Sequence, residues 1–172
     1  VEDDGRLHDM GLRENFIERA FVFARWIHYA KTDGTLKGLI DFHTDHKVLI
    51  MAHSPKALRE LGKLVAEGRK HEPEALKSAY VTNLMTALKL KATIKKNTNV
   101  LNHCMGYFKK ELTADQKKEL REVIDDYHGG MIPLIVPVTL IRHYVRMYTE
   151  AYLLRQWYLN PHPKELMLRN HV

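Results

Sequence analysis

The sequence predicts an all-α fold, a single-domain bundle of seven to eight helices. Apolar residues recur at three- and four-residue spacing in segment after segment. No pair of alternating apolar/polar runs is joined by Asn-Gly or Asp-Gly. Helix start and stop residues punctuate the chain at helix-length intervals, and 172 residues suit one core.

The first helix, about Leu12–Lys31, is expected to place Phe16, Ile17, Ala20, Phe21, Ala24 and Ile27 on its buried face and to close at Thr32-Asp33-Gly34. The second, about Thr35–His53, carries Leu36, Leu39, Ile40, Phe42, Leu49 and Ile50, and its apolar end fits the middle of a bundle. Ser54-Pro55 supplies an N-cap and a first-turn proline for the third, which buries Ala57, Leu58, Leu61, Leu64 and Val65 and stops near Gly68. The fourth starts at Pro73 and shows Leu76, Tyr80, Leu84 and Leu88. A fifth spans about Thr93–Leu112. Thr113 with Gln116 forms a capping box for the sixth, which ends at Gly129-Gly130. The seventh begins near Pro133 or Pro137 and runs to about Tyr148; a short aromatic helix, Ala151–Leu159, follows until Asn160-Pro161-His162-Pro163 breaks it. Residues 1–10 are acidic without apolar period and read as a linker or tail ahead of a helical domain at 11–172. The chain opens on Val1 and not methionine, as expected of a piece of a longer protein or of a processed chain.

Composition excludes several classes. No apolar run reaches the roughly 18–20 residues of a membrane span, and no secretory signal opens the chain. One cysteine, Cys104, rules out an internal disulfide framework or an all-cysteine metal site and fits a reducing cytoplasm. Net charge is +6, unevenly spread: residues 1–18 hold six acids, whereas residues 87–110 hold six lysines and no acid. Such concentration points to a polyanion partner.

The fifth helix carries Lys96, Asn99, His103, Gly106 and Lys110 opposite its apolar stripe. Lysines neutralise phosphates, Asn and His donate to phosphate or sugar oxygens, and Gly106 admits a close approach. A solvated lysine face, with Gly106 making room for a neighbouring helix, fits the same residues. The seventh helix leaves Thr139, Arg142, His143 and Arg146 as a narrow basic strip, able to clamp phosphate or to pair with Glu122 or Asp125 of the sixth. In the second helix, His43 and His46 stand three apart but lack a third metal ligand, so no metal site is assigned. Cys104 lies on or beside an apolar stripe and reads as an inert core thiol. Late aromatics, Tyr144, Tyr148, Tyr152, Trp157 and Tyr158, mostly fit core packing.

The strings Leu12-Arg13-Glu14-Asn15-Phe16, Asp41-Phe42-His43-x-x-His46-Lys47, Met51-Ala52-His53-Ser54 and Asn99-Val100-Leu101-x-His103-x-x-Gly106-Tyr107-Phe108-Lys109 resemble the YbgA-type bacterial domain, long catalogued as of unknown function. So do Pro133-Leu134-x-x-Pro137, His143-Tyr144 and the tail Tyr158-Leu159-x-Pro161-His162-Pro163-x-Glu165-Leu166-x-Leu168-Arg169-Asn170, so that the resemblance covers about residues 10–171. The family occurs alone or fused behind a cysteine-rich iron–sulfur desulfidase domain, and Asp3-Asp4-Gly5-Arg6-Leu7-His8-Asp9 resembles the junction of the fused form. The resemblance implies an accessory, cytoplasmic, transfer-RNA-binding domain of a 4-thiouridine desulfidase. Its partners would be tRNA and the N-terminal desulfidase domain of the same polypeptide. The iron–sulfur cluster would belong to that other domain, with no cofactor in this chain and no catalytic residue assigned. Motif position selects His43, Lys47, Asn99, His103 and Lys109 as RNA contacts, and charge placement adds Lys96, Lys110, Arg142 and Arg146. Two other readings stay open: an enzyme centred on His43, His46 and His103 acting on a small molecule or nucleotide, and an oligomerisation or docking domain.

Overall fold

Side-chain caps set where most of the helices begin. In the computed structural model, which describes residues 4–171, Asp9 accepts from Leu12 N at 2.8 Å and starts α1 (Met10–Thr32). Thr35 accepts from Gly38 N at the head of α2 (Leu36–His53), and Ser54 with Pro55 starts α3 (Pro55–Ala66). Glu72 caps α4 (Pro73–Ala87), and Thr93 caps α5 (Ile94–Met105). Thr113 and Gln116 form the expected capping box over α6 (Ala114–His128), each side chain satisfying the other's backbone N–H. No side chain caps α7 (Ile135–Met147); Ile135 N donates instead to Arg169 O of the C-terminal tail at 3.1 Å. Glu150 caps the single turn of α8 (Ala151–Leu154). Eight α-helices and no strand are present among the described residues, and no helix there is long and apolar enough to cross a membrane. Within the acidic N-terminal stretch, residues 4–8 form a 3₁₀ turn against α1, held by Arg13 Nε donating to Leu7 O; residues 1–3 and 172 lie outside the described residues.

Two helices are shorter than their sequence pattern predicts. The fifth stops at Met105 and tightens into a 3₁₀ turn over Gly106–Phe108, which drives Phe108 into the core. Lys109 and Lys110 therefore leave the face that Lys96, Asn99 and His103 occupy. The aromatic segment expected over Ala151–Leu159 splits into α8 and a 3₁₀ turn at Trp157–Leu159. Gln156 separates them: its Oε1 accepts from Val48 N at 3.1 Å and its Nε2 donates to Thr44 O at 2.8 Å, the two ends of one ladder step in α2. A buried amide with both ends satisfied fixes that crossing.

The apolar end of α2 is central, as its pattern predicts. It packs against α1, α3, α4, α5 and the Trp157–Leu159 turn, while α5, α6 and α7 pack on one another beside it. Trp26, Tyr29, Phe42 and Tyr80 interlock on one side, and Phe108, Tyr144 and Tyr148 on the other, within one continuous core.

The buried face of α1 differs from expectation. Its inward stripe is Asn15, Glu18, Val22, Trp26 and Tyr29; of the predicted face, Phe16, Ile17 and Phe21 are half-buried, whereas Ala20 and Ala24 are exposed and Ile27 is at 38% exposure. Apolar residues occur almost all round α1, so hydrophobic spacing does not select a face. Partners for Glu18 and Asn15, described below, select it. Trp26→Ala should therefore cost about 3–5 kcal/mol in urea denaturation, and Ile27→Ala should stay within about 0.5 kcal/mol of the parent. Equal losses at the two positions would put the inward stripe elsewhere.

Candidate functional site

The inward polar residues of α1 meet the C-terminal tail at one buried ionic centre. Arg169, 4% exposed, donates from Nη2 to Glu18 Oε1 at 2.5 Å, from Nε to Glu14 Oε1 at 3.1 Å, and from Nη1 to Tyr158 O at 2.6 Å. Its guanidinium also lies over the Tyr158 ring, 4.8 Å from the centroid. Tyr158 donates its hydroxyl to Asn97 Oδ1 of α5 at 3.1 Å. His53 closes α2 with Nδ1 directed at Leu90 O, 2.7 Å away; a carbonyl only accepts, so Nδ1 donates there, while Nε2 faces Glu18 Oε2 at 3.4 Å. One centre thus joins α1, the end of α2, the start of α5 and the tail.

The two carboxylates are not equivalent. Burial pushes the Glu18 carboxyl up, but Arg169 and His53 outweigh it and hold the group well below the usual carboxylate range. Burial raises Glu14 as well, and the charge of Glu18 adds to this; Arg169 only partly offsets the two, leaving Glu14 at about 7. Glu14 also lines a cavity of about 710 Å³ with Asn15, Asn97 and Tyr127 among its polar walls. Met10, Ile94, Ile132 and Leu134 supply apolar wall, and Lys91 ahead of α5 and Lys95 in its first turn line it too.

The residues expected to contact RNA are dispersed. Arg142 and Arg146, one helical turn apart on α7, line a second recess of about 230 Å³ with Lys164 and His162 of the tail. No acidic side chain lines it, and no ion pair engages either arginine among the described residues; Glu122 pairs with Lys118 instead. Lys47 lines a third recess with His43 and Arg69, again without an acid. His43 itself is buried: its Nδ1 meets the Tyr80 hydroxyl at 2.9 Å, and burial first, then nearby Lys47, lower it to about 4. Lys96 spends its ammonium on two backbone carbonyls, His53 O at 2.8 Å and Lys91 O at 2.9 Å, closing the end of α2. Asn99, His103, Lys109 and Lys110 are exposed, with the His103 ring edge-on to Tyr107.

The three histidines of the enzymatic reading do not converge. His43 opens onto the Lys47 recess; His46 lines a different one beside Arg25 and Trp157, its Nδ1 bonded to Phe42 O. Among the described residues no group of three His, Cys, Asp or Glu side chains is placed to hold a metal ion. Cys104 is buried, and burial pushes its thiol up to about 12, so it carries no thiolate at neutral pH. Sequence reasoning missed Glu14, Asn15, Glu18, His53, Arg169 and Arg69 as site residues. A signal existed for four of them: Glu14-Asn15, His53 and Arg169 fall in strings that carry the family resemblance.

Comparison with known proteins gives a family and no activity. The family described as "Protein of unknown function (DUF1722)" matches residues 47–163. The "Uncharacterized protein YbgA" of Escherichia coli (strain K12) is 32% identical over 146 residues, covering 84% of this chain and 86% of that protein. No solved structure matches the chain.

The Glu14 assignment sets a pH dependence. Its folded-state value, about 7, lies above the ordinary 4.5, so its protonated form adds stability that is complete below about pH 4.5 and lost as pH rises through 7. Glu14→Gln mimics the protonated form. The melting temperature of Glu14→Gln minus that of the parent should grow from pH 5 to about pH 7 and level off above it in scanning calorimetry. A difference independent of pH would mean that Glu14 titrates normally.

Proposed function

The chain belongs to the DUF1722 family, and we propose that it is an accessory RNA-binding module that holds tRNA for a separate iron–sulfur desulfidase domain acting on 4-thiouridine. One observation carries the RNA part of this reading: Arg142 and Arg146 stand side by side at a recess that also holds Lys164 and contains no acid. Two guanidiniums without carboxylates repel each other. Burial, and next the charge of Arg146, weaken the hold of Arg142 on its proton. A phosphate relieves that repulsion with bidentate hydrogen bonds. The Lys47–Arg69 recess offers a second phosphate position of the same kind. Folded RNA is recognised largely through its backbone and shape, and two separated cationic recesses suit that mode better than one deep base-reading groove. The desulfidase and tRNA assignments rest on the family resemblance, and the chemistry of sulfur removal would lie in the other domain.

Binding of bulk tRNA across about 50–300 mM salt tests the reading, with duplex DNA as competitor. Affinity should fall steeply with salt and favour tRNA. Arg142→Ala and Arg146→Ala should each weaken binding and reduce the logarithmic salt slope by about 1. Lys96→Ala should leave the slope alone, because that ammonium is held by backbone carbonyls. No tRNA binding at the lowest salt would refute the RNA-binding role.

A further inference from the structure

The recess between α7 and the tail holds more positive charge than a phosphodiester uses. Arg142, half-buried, and Arg146, exposed, line it from α7, and Lys164 lines it from the tail. Arg169 lines it too, but Glu18 and Glu14 neutralise that guanidinium. Glu165, next to Lys164 in the chain, does not line it. Three cations therefore gather around one recess with no carboxylate among its walls. A phosphodiester brings a single negative charge. A phosphomonoester brings about −1.5 to −2 at neutral pH and three acceptor oxygens. The Lys47–Arg69 recess, with two cations, suits the diester, and the Arg142–Arg146 recess suits the monoester.

Shape points the same way. A volume of about 230 Å³ lies below the roughly 300–1,000 Å³ of pockets that enclose a whole ligand. Val138, Leu159 and Leu168, all buried, give the recess an apolar floor. Such a recess takes the end of a chain, whereas a groove passes a backbone along its length. Met167 also lines it, 63% exposed and held at φ 50° in the left-handed region, a strained place for a residue with a side chain. The turn that holds Met167 begins at Lys164, and Met167 N donates to Lys164 O at 3.0 Å. One turn thus offers a cation for a phosphate and, three residues on, an exposed thioether that packs well on an aromatic ring.

We propose that this recess takes the terminal phosphomonoester of an RNA, its 5′ phosphate, on Arg142, Arg146 and Lys164, with the first base resting on Met167. The RNA source rests on the RNA-binding reading above; the preference for a monoester rests on the charge and shape of the recess. Seating an end in one place fixes which stretch of the RNA lies over the rest of the surface.

Two pairs of probes test this on the full chain. In titration calorimetry AMP should bind, and its 5′-methyl ester, a diester, should bind about ten-fold more weakly. A tRNA bearing its 5′ phosphate should bind about ten-fold more tightly than the same tRNA dephosphorylated. Arg142→Ala and Arg146→Ala should erase both differences, while Lys47→Ala should weaken the two tRNAs equally. Met167→Gly should weaken AMP but not inorganic phosphate, and should not lower the melting temperature, because glycine adopts positive φ freely. Equal affinity for the two tRNAs, or AMP bound no more tightly than its ester, overturns the proposal and leaves the RNA-binding reading standing. Absence of tRNA binding, with AMP still preferred over its ester, overturns the RNA source and assigns the recess to a free nucleotide.

Discussion

A guanidinium gives up its water only where other acceptors replace it, and Arg169 has given up nearly all of its water. Glu18, Glu14 and the carbonyl of Tyr158 take its N–H groups, and the Tyr158 ring covers a face. The constraint spreads outward from there. Glu18 must face inward, which orients α1 and brings Trp26 and Tyr29 onto Phe42. His53 packs against Glu18 at the end of α2, and the Arg169 carbonyl receives the first N–H of α7, the helix without a side-chain cap. Removing one partner of such a centre costs about 3–5 kcal/mol, mostly because the remaining charge stays buried and unpaired.

That centre also explains the separation of two kinds of surface. The tail that brings Arg169 inward carries Lys164 and His162 on the way, and these complete the recess opened by Arg142 and Arg146. On its other side the same tail ends at His171 beside Glu14 and the larger cavity. One recess is cationic without acids; the other pairs a carboxyl at about 7 with lysines and apolar wall. Both depend on where the last dozen residues settle.

Most helix boundaries were legible because they are local. Ser54-Pro55 and Thr113 with Gln116 act over three residues, and the structure reproduces them. The ends at Met105 and Leu154 were not, since each is set by a distant demand: Phe108 is drawn into the core, and Gln156 reaches across to Thr44 and Val48. The face of α1 was misread for the same reason. Glu18 finds its partner 151 residues away, and by composition alone a glutamate marks the solvent side of a helix. Arg142 and Arg146 were legible as an adjacent basic pair; that Glu122 would take Lys118 was not. Glu14 could not be read as a perturbed acid, because its neighbours come from opposite ends of the chain.

The central claim is that Glu18 and Arg169 bind the first helix and the tail into one unit. A double-mutant cycle with Glu18→Gln and Arg169→Met, followed by urea denaturation at pH 7.5, measures it most directly. Each single variant should lose several kcal/mol, and the pair should lose much less than the sum, giving a coupling of about 2–3 kcal/mol. Additive losses, with a coupling within about 0.5 kcal/mol, would mean that the two residues act independently and that the tail is held by something else.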